Sequence, residues 1–110
     1  MNRLLSKTAV LLISLFLSFG LWASDAYWID VRTSDEYQAG HVDDAINIPY
    51  EQIGTRIPEV TEDTDAVIYL YCRSGRRAGV ARETLLGMGY TNGINLGGLE
   101  DAQIKAAETP

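Results

Sequence analysis

The sequence contains few of the side chains that bind metals or form disulfides. Among 110 residues there is one cysteine, Cys72, and one histidine, His41. A lone cysteine cannot form an internal disulfide, and one cysteine with one histidine effectively excludes a structural zinc site built from these ligands. We expect no metal and no cofactor. The lone thiol is then a reactive group, a partner for a cysteine of another chain, or a buried bystander.

Basic residues are also scarce. Nine lysines and arginines face fifteen aspartates and glutamates, and the formal charge is −6. Without residues 1–23, which contain Arg3 and Lys7, the chain has seven basic residues and all fifteen acids, a charge of −8. Such an acidic chain argues against nucleic acid or an anionic membrane as its main partner. Four of the seven lie between residues 73 and 82, which predicts a local anion site.

The amino terminus has the pattern of an export signal. Two basic residues precede an uncharged apolar run, residues 9–21, and Trp22-Ala23 follow. This order is typical of a secretory signal peptide. The run of 13 residues is shorter than the roughly 20 that a membrane span needs. We predict cleavage after Ala23, with cleavage after Ala26 or an uncleaved N-terminal anchor as alternatives.

Residues 1–23 are thus predicted to be a signal peptide, and residues 24–110 a single exported domain with a modest core. We expect the mature protein in the periplasm, without stable membrane association once the signal is cleaved. Nothing in the pattern demands an oligomer, so a monomer is expected.

Short apolar runs alternate with segments of helical spacing along this domain. The predicted strands are residues 27–31, 45–48, 66–71 and 94–96, and the predicted helices are residues 33–39, 50–57, 78–88 and 99–107. This alternation predicts the α/β class: one domain with a parallel sheet flanked by helices, joined by right-handed crossovers.

Three local expectations accompany this assignment. Thr33 and Glu36 have the spacing of a capping box at the start of the first helix. Pro58 is expected to end the second helix. In the third helix, the residues expected on the buried side are Val80, Ala81, Leu85 and Met88.

Cys72 directly follows the most hydrophobic predicted strand, where parallel sheets place their ligand crevice. The segment Cys72-Arg73-Ser74-Gly75-Arg76-Arg77 then leads into a helix. A tight loop here can turn several backbone N–H groups inward as an anion nest, and the helix dipole adds to its field. The arginines add charge that does not titrate near neutral pH. All of these favour thiolate over thiol, so the sequence predicts a lowered pKa for Cys72.

A phosphatase or arsenate reductase of the Cys-x5-Arg class would use a similar loop. That class needs an arginine six positions after the cysteine, where this chain has Ala78; Arg77 is one residue early. The loop is therefore too short for that geometry, and hydrolysis of a phosphate ester is the experiment that separates the two.

The loop "CRSGRR" resembles the six-residue active-site loop of the rhodanese (thiosulfate sulfurtransferase) family. "WIDVRTSDEYQAGHVDDAINIP", residues 28–49, is similar to that family's Asp-Val-Arg, Glu-Tyr and Gly-His…Asn-Ile-Pro signature, and "GYTNGINLGGLED" resembles its late Leu-x-Gly-Gly segment. Short length with an export signal looks most like the phage-shock-type periplasmic rhodaneses. Asp44 replaces a glycine usual in the family, and Leu99 stands where a tryptophan often follows the Gly-Gly pair.

The resemblance implies a single rhodanese domain with Cys72 as the sulfur-accepting nucleophile. It also implies that the backbone amides of the loop cradle a persulfide, and that two of its side chains contact the anionic end of the donor. The implied cradle is Arg73, Ser74, Gly75, Arg76 and Arg77, with Arg73 and Arg77 as the donor contacts. The matching positions Asp30, Arg32 and His41 are interpreted as structural, with Arg32 expected to pair with Glu36.

The function that the resemblance implies is transfer of the outer sulfur of thiosulfate to cyanide or a thiol through a Cys72 persulfide. The alternative is a non-enzymatic periplasmic sulfur carrier or partner-binding module that uses the same loop. A persulfide that forms from thiosulfate but ignores cyanide would favour that alternative.

Overall fold

The computed structural model describes residues 26–108. Four strands alternate with four α-helices, and a short 3-10 helix, Tyr50–Gln52, precedes the second of them. The strands are β1 (Tyr27–Asp30), β2 (Ile46–Asn47), β3 (Ile68–Tyr71) and β4 (Gly93–Asn95). The helices are α1 (Ser34–Ala39), α2 (Ile53–Val60), α3 (Arg76–Gly87) and α4 (Leu99–Glu108). The predicted α/β class with a parallel sheet flanked by helices is confirmed.

The four strands form one parallel sheet in the order β2-β1-β3-β4. The chain leaves β1 for β2 on one side and returns to β3 on the other. Strand order therefore reverses between β1 and β3, and a crevice opens at their carboxyl ends. Asp30 and Tyr71 are register partners at that edge. Cys72, which follows β3, thus lies where α/β sheets bind ligands.

The two faces of the sheet bury different sets of side chains, because successive residues of a strand point to opposite sides. The face covered by α2 and α3 buries Ile29, Ile68 and Leu70. Cys72 lies two residues after Leu70, so its side chain points to the same face and belongs to the same cluster. The other face holds a smaller cluster against α4, built around Tyr71. The thiol therefore points toward the start of α3 because of its register in the strand.

Two of the three local expectations need correction. The capping box is present, with the Thr33 side chain accepting from the Glu36 amide. Pro58 does not end α2, which continues to Val60; a proline removes one N–H donor, and the Thr61 amide still closes the last turn on Ile57.

The expected buried face of α3 is also partly wrong. Ala81 and Leu85 are buried, as predicted, but Val80 and Met88 are 42% and 41% exposed. The buried stripe runs through Ala78, Ala81 and Leu85, which have the three- and four-residue spacing of one helix face. Val80 lies nearly opposite to that stripe.

The predicted signal peptide, residues 1–23, lies outside the described residues. Between residues 26 and 108 the structure contains no helix with the length and apolar character to cross a membrane.

Candidate active site

Cys72 lies at the bottom of the loop that joins β3 to α3. It is 1% exposed, and its backbone N–H donates to the Gly97 carbonyl at 3.0 Å. This bond ties the loop to the segment that follows β4. Burial to this degree restricts the sulfur to small, slender reactants.

Backbone amides from the start of α3 surround the sulfur. The Gly75 N–H donates to Cys72 Sγ at 2.9 Å. Gly75 is the residue that precedes α3, and its φ of 100° is a left-handed conformation that glycine adopts without strain. The first turn of a helix has N–H groups without intrahelical acceptors. Those of Arg77 and Ala78 contribute to lowering the pKa of Cys72. The predicted anion nest is thus made largely by the helix terminus.

Two opposing effects set the pKa of Cys72. Burial is the largest and raises it, because a charged sulfur loses solvation. Hydrogen bonds from the amides of Ala78, Ser74, Gly75 and Arg77 together outweigh burial and bring the pKa of Cys72 below its ordinary value.

A pH titration should show this shift directly. We expect the thiolate absorbance of the protein to appear at lower pH than that of free cysteine, whose pKa is about 8.5. The reactivity of Cys72 should fall as the pH drops below this lowered midpoint, because the thiolate is the reactive form of a cysteine. The Cys72→Ser variant serves as the blank: it keeps the tyrosines, so subtraction of its absorbance removes their contribution. A midpoint at or above that of free cysteine would contradict the amide cradle.

The structure separates the clustered arginines. Arg73 is exposed and lines a groove of about 420 Å³ between α1 and the start of α4. The Arg76 guanidinium lies 5.8 Å from the centre of the Tyr50 ring, and Arg82 Nε donates to the Gly93 carbonyl at 2.9 Å. Part of the basic cluster therefore stabilises the fold around α3 instead of facing the thiol.

Pairing with Glu36 raises the pKa of Arg77, and the negative charge of Cys72 adds a smaller contribution in the same direction. The two terminal nitrogens of Arg77 donate to the two carboxylate oxygens of Glu36 at 2.7 and 3.0 Å. This pairing with Arg77 is the main reason that the pKa of Glu36 falls to about 2. Glu36 therefore stays ionised, and the bidentate pair fixes α1 against the loop.

The expected pairing of Arg32 with Glu36 is wrong. Arg32 instead forms a buried ion pair with Asp30, with its Nη2 2.6 Å from Oδ2, and the same nitrogen donates to the Gly40 carbonyl at 2.7 Å. The Asp30 side chain is fully buried, so its charge needs this partner. The pair fixes the turn that follows β1, in agreement with a structural role.

The remaining family positions lie away from the sulfur. His41 stacks on the Tyr37 ring with 3.6 Å between centroids, and its Nδ1 lies 2.8 Å from the Tyr37 carbonyl. Asp44 is exposed in the turn before β2. Leu99 is the first residue of α4 and packs on the smaller core cluster. Between residues 26 and 108 no three metal-binding side chains converge.

Three contributors to the site were missed in the sequence. The Ala78 amide was missed because the helix was expected to begin there, whereas it begins at Arg76. The available signal was Gly75, because glycine is tolerated directly before a helix and would have placed the helix start at Arg76. Asn95 is the last residue of β4, and Gly98 follows that strand. Both lie against the cysteine loop, and no local pattern in the sequence indicates these contacts. A Cβ on Gly98 would lie 2.5 Å from the Arg73 carbonyl oxygen, so only glycine fits there.

Comparisons with known proteins agree with this geometry. Residues 20–105 match the family model described as Rhodanese-like domain. The chain is 41% identical over 95 residues to thiosulfate sulfurtransferase PspE of Escherichia coli K12, covering 86% of this chain and 90% of that protein. It is 39% identical over 74 residues to a sulfurtransferase of Allochromatium vinosum, covering 67% of each.

A solved structure is similar as well. The chain superposes on an E. coli rhodanese determined with anions, with a TM-score of 0.67 and 44% identity. The match covers 70% of this chain and 91% of that one.

Proposed function

From the premise that the chain belongs to the rhodanese-like family, we propose that it is a thiosulfate sulfurtransferase of the periplasm. It moves the outer sulfur of thiosulfate to cyanide or a thiol through a Cys72 persulfide, and it acts as a monomer after removal of residues 1–23. The observation that carries the proposal is the hydrogen bond from the Gly75 amide to Cys72 Sγ. It belongs to a set of backbone donors that stabilise negative charge on this sulfur.

In the first half-reaction, the Cys72 thiolate attacks the outer sulfur of thiosulfate. A new S–S bond forms, the bond from the outer sulfur to the sulfonate sulfur breaks, and sulfite leaves with that electron pair. The enzyme becomes a persulfide anion. The cradle amides that stabilise the thiolate also stabilise this anion. The lowered pKa of Cys72 increases the fraction of thiolate, which reduces the need for a general base.

In the second half-reaction, cyanide attacks the terminal sulfur of the persulfide. Thiocyanate forms, the S–S bond breaks, and the electron pair returns to Cys72 as thiolate. The enzyme is regenerated, so the scheme is double displacement with a covalent intermediate. A thiol acceptor follows the same course. Burial of Cys72 at 1% exposure favours donors and acceptors that are narrow at the reacting atom.

Two arginines are suited to the sulfonate end of the donor. Arg73 lines the groove beside the loop together with Glu36, Glu100 and Asp101, and of these side chains it is the one whose charge can attract the sulfonate of a donor. The charge of Arg77 is partly balanced by Glu36 at 2.7 Å. We therefore assign the first electrostatic contact to Arg73 and a fixed supporting role to Arg77, with the amides of Ser74 and Gly75 nearest the transferred sulfur.

The test uses the mature chain in two stages. Incubation with thiosulfate alone should add the mass of one sulfur atom and release one equivalent of sulfite. Addition of cyanide should remove that mass and yield thiocyanate catalytically, with double-displacement kinetics.

The same assay separates the alternatives. A persulfide that loads but resists cyanide, with transfer only to a protein acceptor, would favour the sulfur-carrier function. A folded, reduced protein that gains no sulfur would contradict the choice of thiosulfate as donor. Activity on a phosphate ester would contradict the sulfurtransferase assignment.

A further inference from the structure

Asn95 occupies the end of β4, beside the cysteine loop. Its side-chain Nδ2 donates to the Gly75 carbonyl at 2.8 Å, and its Oδ1 accepts from the Gly97 N–H at 2.9 Å. The residue is exposed at the edge of the sheet, so packing in the core does not explain its position. Its side chain instead joins two backbone segments that lie 22 residues apart in sequence, as Gly75 and Gly97 do.

These bonds complete a closed circuit that begins and ends at Cys72. The Cys72 N–H donates to the Gly97 carbonyl at 3.0 Å. The Gly97 N–H donates to Asn95, and Asn95 donates to the Gly75 carbonyl. The Gly75 N–H then donates to Cys72 Sγ at 2.9 Å. Asn95 is the one side chain in the circuit apart from the cysteine itself.

Gly75 needs such a restraint more than other loop residues. Its φ is 100°, and α3 begins at the next residue without a side-chain cap. Glycine has the largest backbone freedom of any residue, so its two peptide planes are weakly fixed by its own sterics. The Gly79 N–H bonds the Gly75 carbonyl from the helix at 2.9 Å. Asn95 bonds the same oxygen from outside the helix and so fixes the Gly75–Arg76 peptide plane from a second direction. The N–H that faces Sγ lies in the preceding peptide plane and is joined to the fixed one at the Gly75 α-carbon.

We propose that Asn95 is a positioning residue for the sulfur site: by holding the Gly75 carbonyl and the Gly97 amide together, it keeps the Gly75 N–H directed at Cys72 Sγ. This inference rests on the proposed role of Cys72 as the sulfur acceptor. It adds a residue outside the loop on which the stability of the thiolate and of the persulfide depends.

The test compares Asn95→Ala with Asn92→Ala. Asn92 is the matched control, because it is also exposed and directly precedes β4, away from the cysteine loop. Its side chain also donates to a distant backbone carbonyl, that of Asp65, at 2.7 Å. Neither substitution changes the charge. We expect the midpoint of the Cys72 thiolate titration to move to higher pH in Asn95→Ala, and kcat/KM for thiosulfate to fall by about threefold to tenfold. Asn92→Ala should leave the midpoint in place and kcat/KM within about twofold.

Asn95→Asp tests the donor atom itself. Aspartate keeps an acceptor for the Gly97 N–H but presents an oxygen to the Gly75 carbonyl in place of the Nδ2 donor. The lost donor and the added negative charge both raise the midpoint, so we expect a shift at least as large as that of the alanine variant. Asn95→Leu, which is uncharged and close to asparagine in size, serves if Asn95→Ala does not fold.

Three outcomes would overturn the inference: an unchanged midpoint in Asn95→Ala, an equal shift in Asn92→Ala, or no shift in Asn95→Asp. Because the titration needs no sulfur donor, its result is independent of the choice of thiosulfate. A low midpoint in the wild type that is indifferent to Asn95 removes only this inference. Failure of wild-type sulfur loading removes the proposed function, while the titration still shows whether Asn95 directs the Gly75 N–H at Sγ.

Discussion

Replacement of Cys72 by serine is expected to lower thiocyanate formation by at least about a thousandfold, because it removes the residue that we propose to form the covalent intermediate. A serine hydroxyl is not ionised near neutral pH, and the amide cradle cannot lower its pKa far enough to compensate. The variant should also gain no sulfur from thiosulfate.

The serine variant is expected to fold, so the loss can be attributed to chemistry. Serine is close to cysteine in size, and its oxygen can accept from the Gly75 N–H that now bonds Sγ at 2.9 Å. Thermal unfolding of the two proteins, followed by circular dichroism, supplies the control. Turnover by folded Cys72→Ser at more than about a tenth of the wild-type rate would show that sulfur transfer does not pass through this residue.

The second large effect concerns stability. Asp30→Asn is expected to lower the free energy of unfolding by about 3 kcal/mol, because it leaves the Arg32 guanidinium buried without its countercharge. The Arg32 side chain is 8% exposed and that of Asp30 is fully buried, so water cannot take the place of the lost carboxylate. Asparagine has nearly the shape of aspartate, and the change is therefore one of charge and hydrogen bonding.

Urea unfolding of Asp30→Asn beside Glu59→Gln measures this effect. Glu59 belongs to an exposed pair, 3.8 Å from Arg56, with its side chain 66% accessible. Loss of that pair should cost less than about 1 kcal/mol, as for other surface ion pairs. Equal, small losses in both variants would mean that the desolvation of Asp30 and Arg32 nearly cancels their attraction in the native fold.

The buried pair and the Glu36–Arg77 pair support the crevice in different ways. Asp30 and Arg32 are two residues apart, and they fix the turn that leaves β1. Glu36 and Arg77 are 41 residues apart and connect α1 to the first turn of α3. The first pair stabilises the floor of the crevice, and the second holds the loop that carries the sulfur cradle.

The sequence by itself determined the features that depend on local spacing. Apolar runs of strand length alternating with helical segments gave the parallel α/β sheet, and the position of Cys72 after the third strand followed from them. The Thr33–Glu36 capping box was also predicted correctly. Such patterns are visible because strands repeat every two residues and helices every 3.6, so neighbouring residues carry the information. The family resemblance, read from motifs spread over residues 28–101, is confirmed.

Only the tertiary structure decided which distant groups meet. Glu36 had Arg32 as the nearer candidate in sequence, but Arg32 is taken by Asp30, and the carboxylate bonds Arg77 instead. Asn95 reaches the cysteine loop because β3 and β4 are neighbours in the sheet. Contacts of this kind depend on strand order and on which charges burial forces to pair, and one sequence encodes neither as a local pattern. A role for Cys72 could therefore be proposed from the residues near it, while the distant groups that contact its loop had to be seen in the fold.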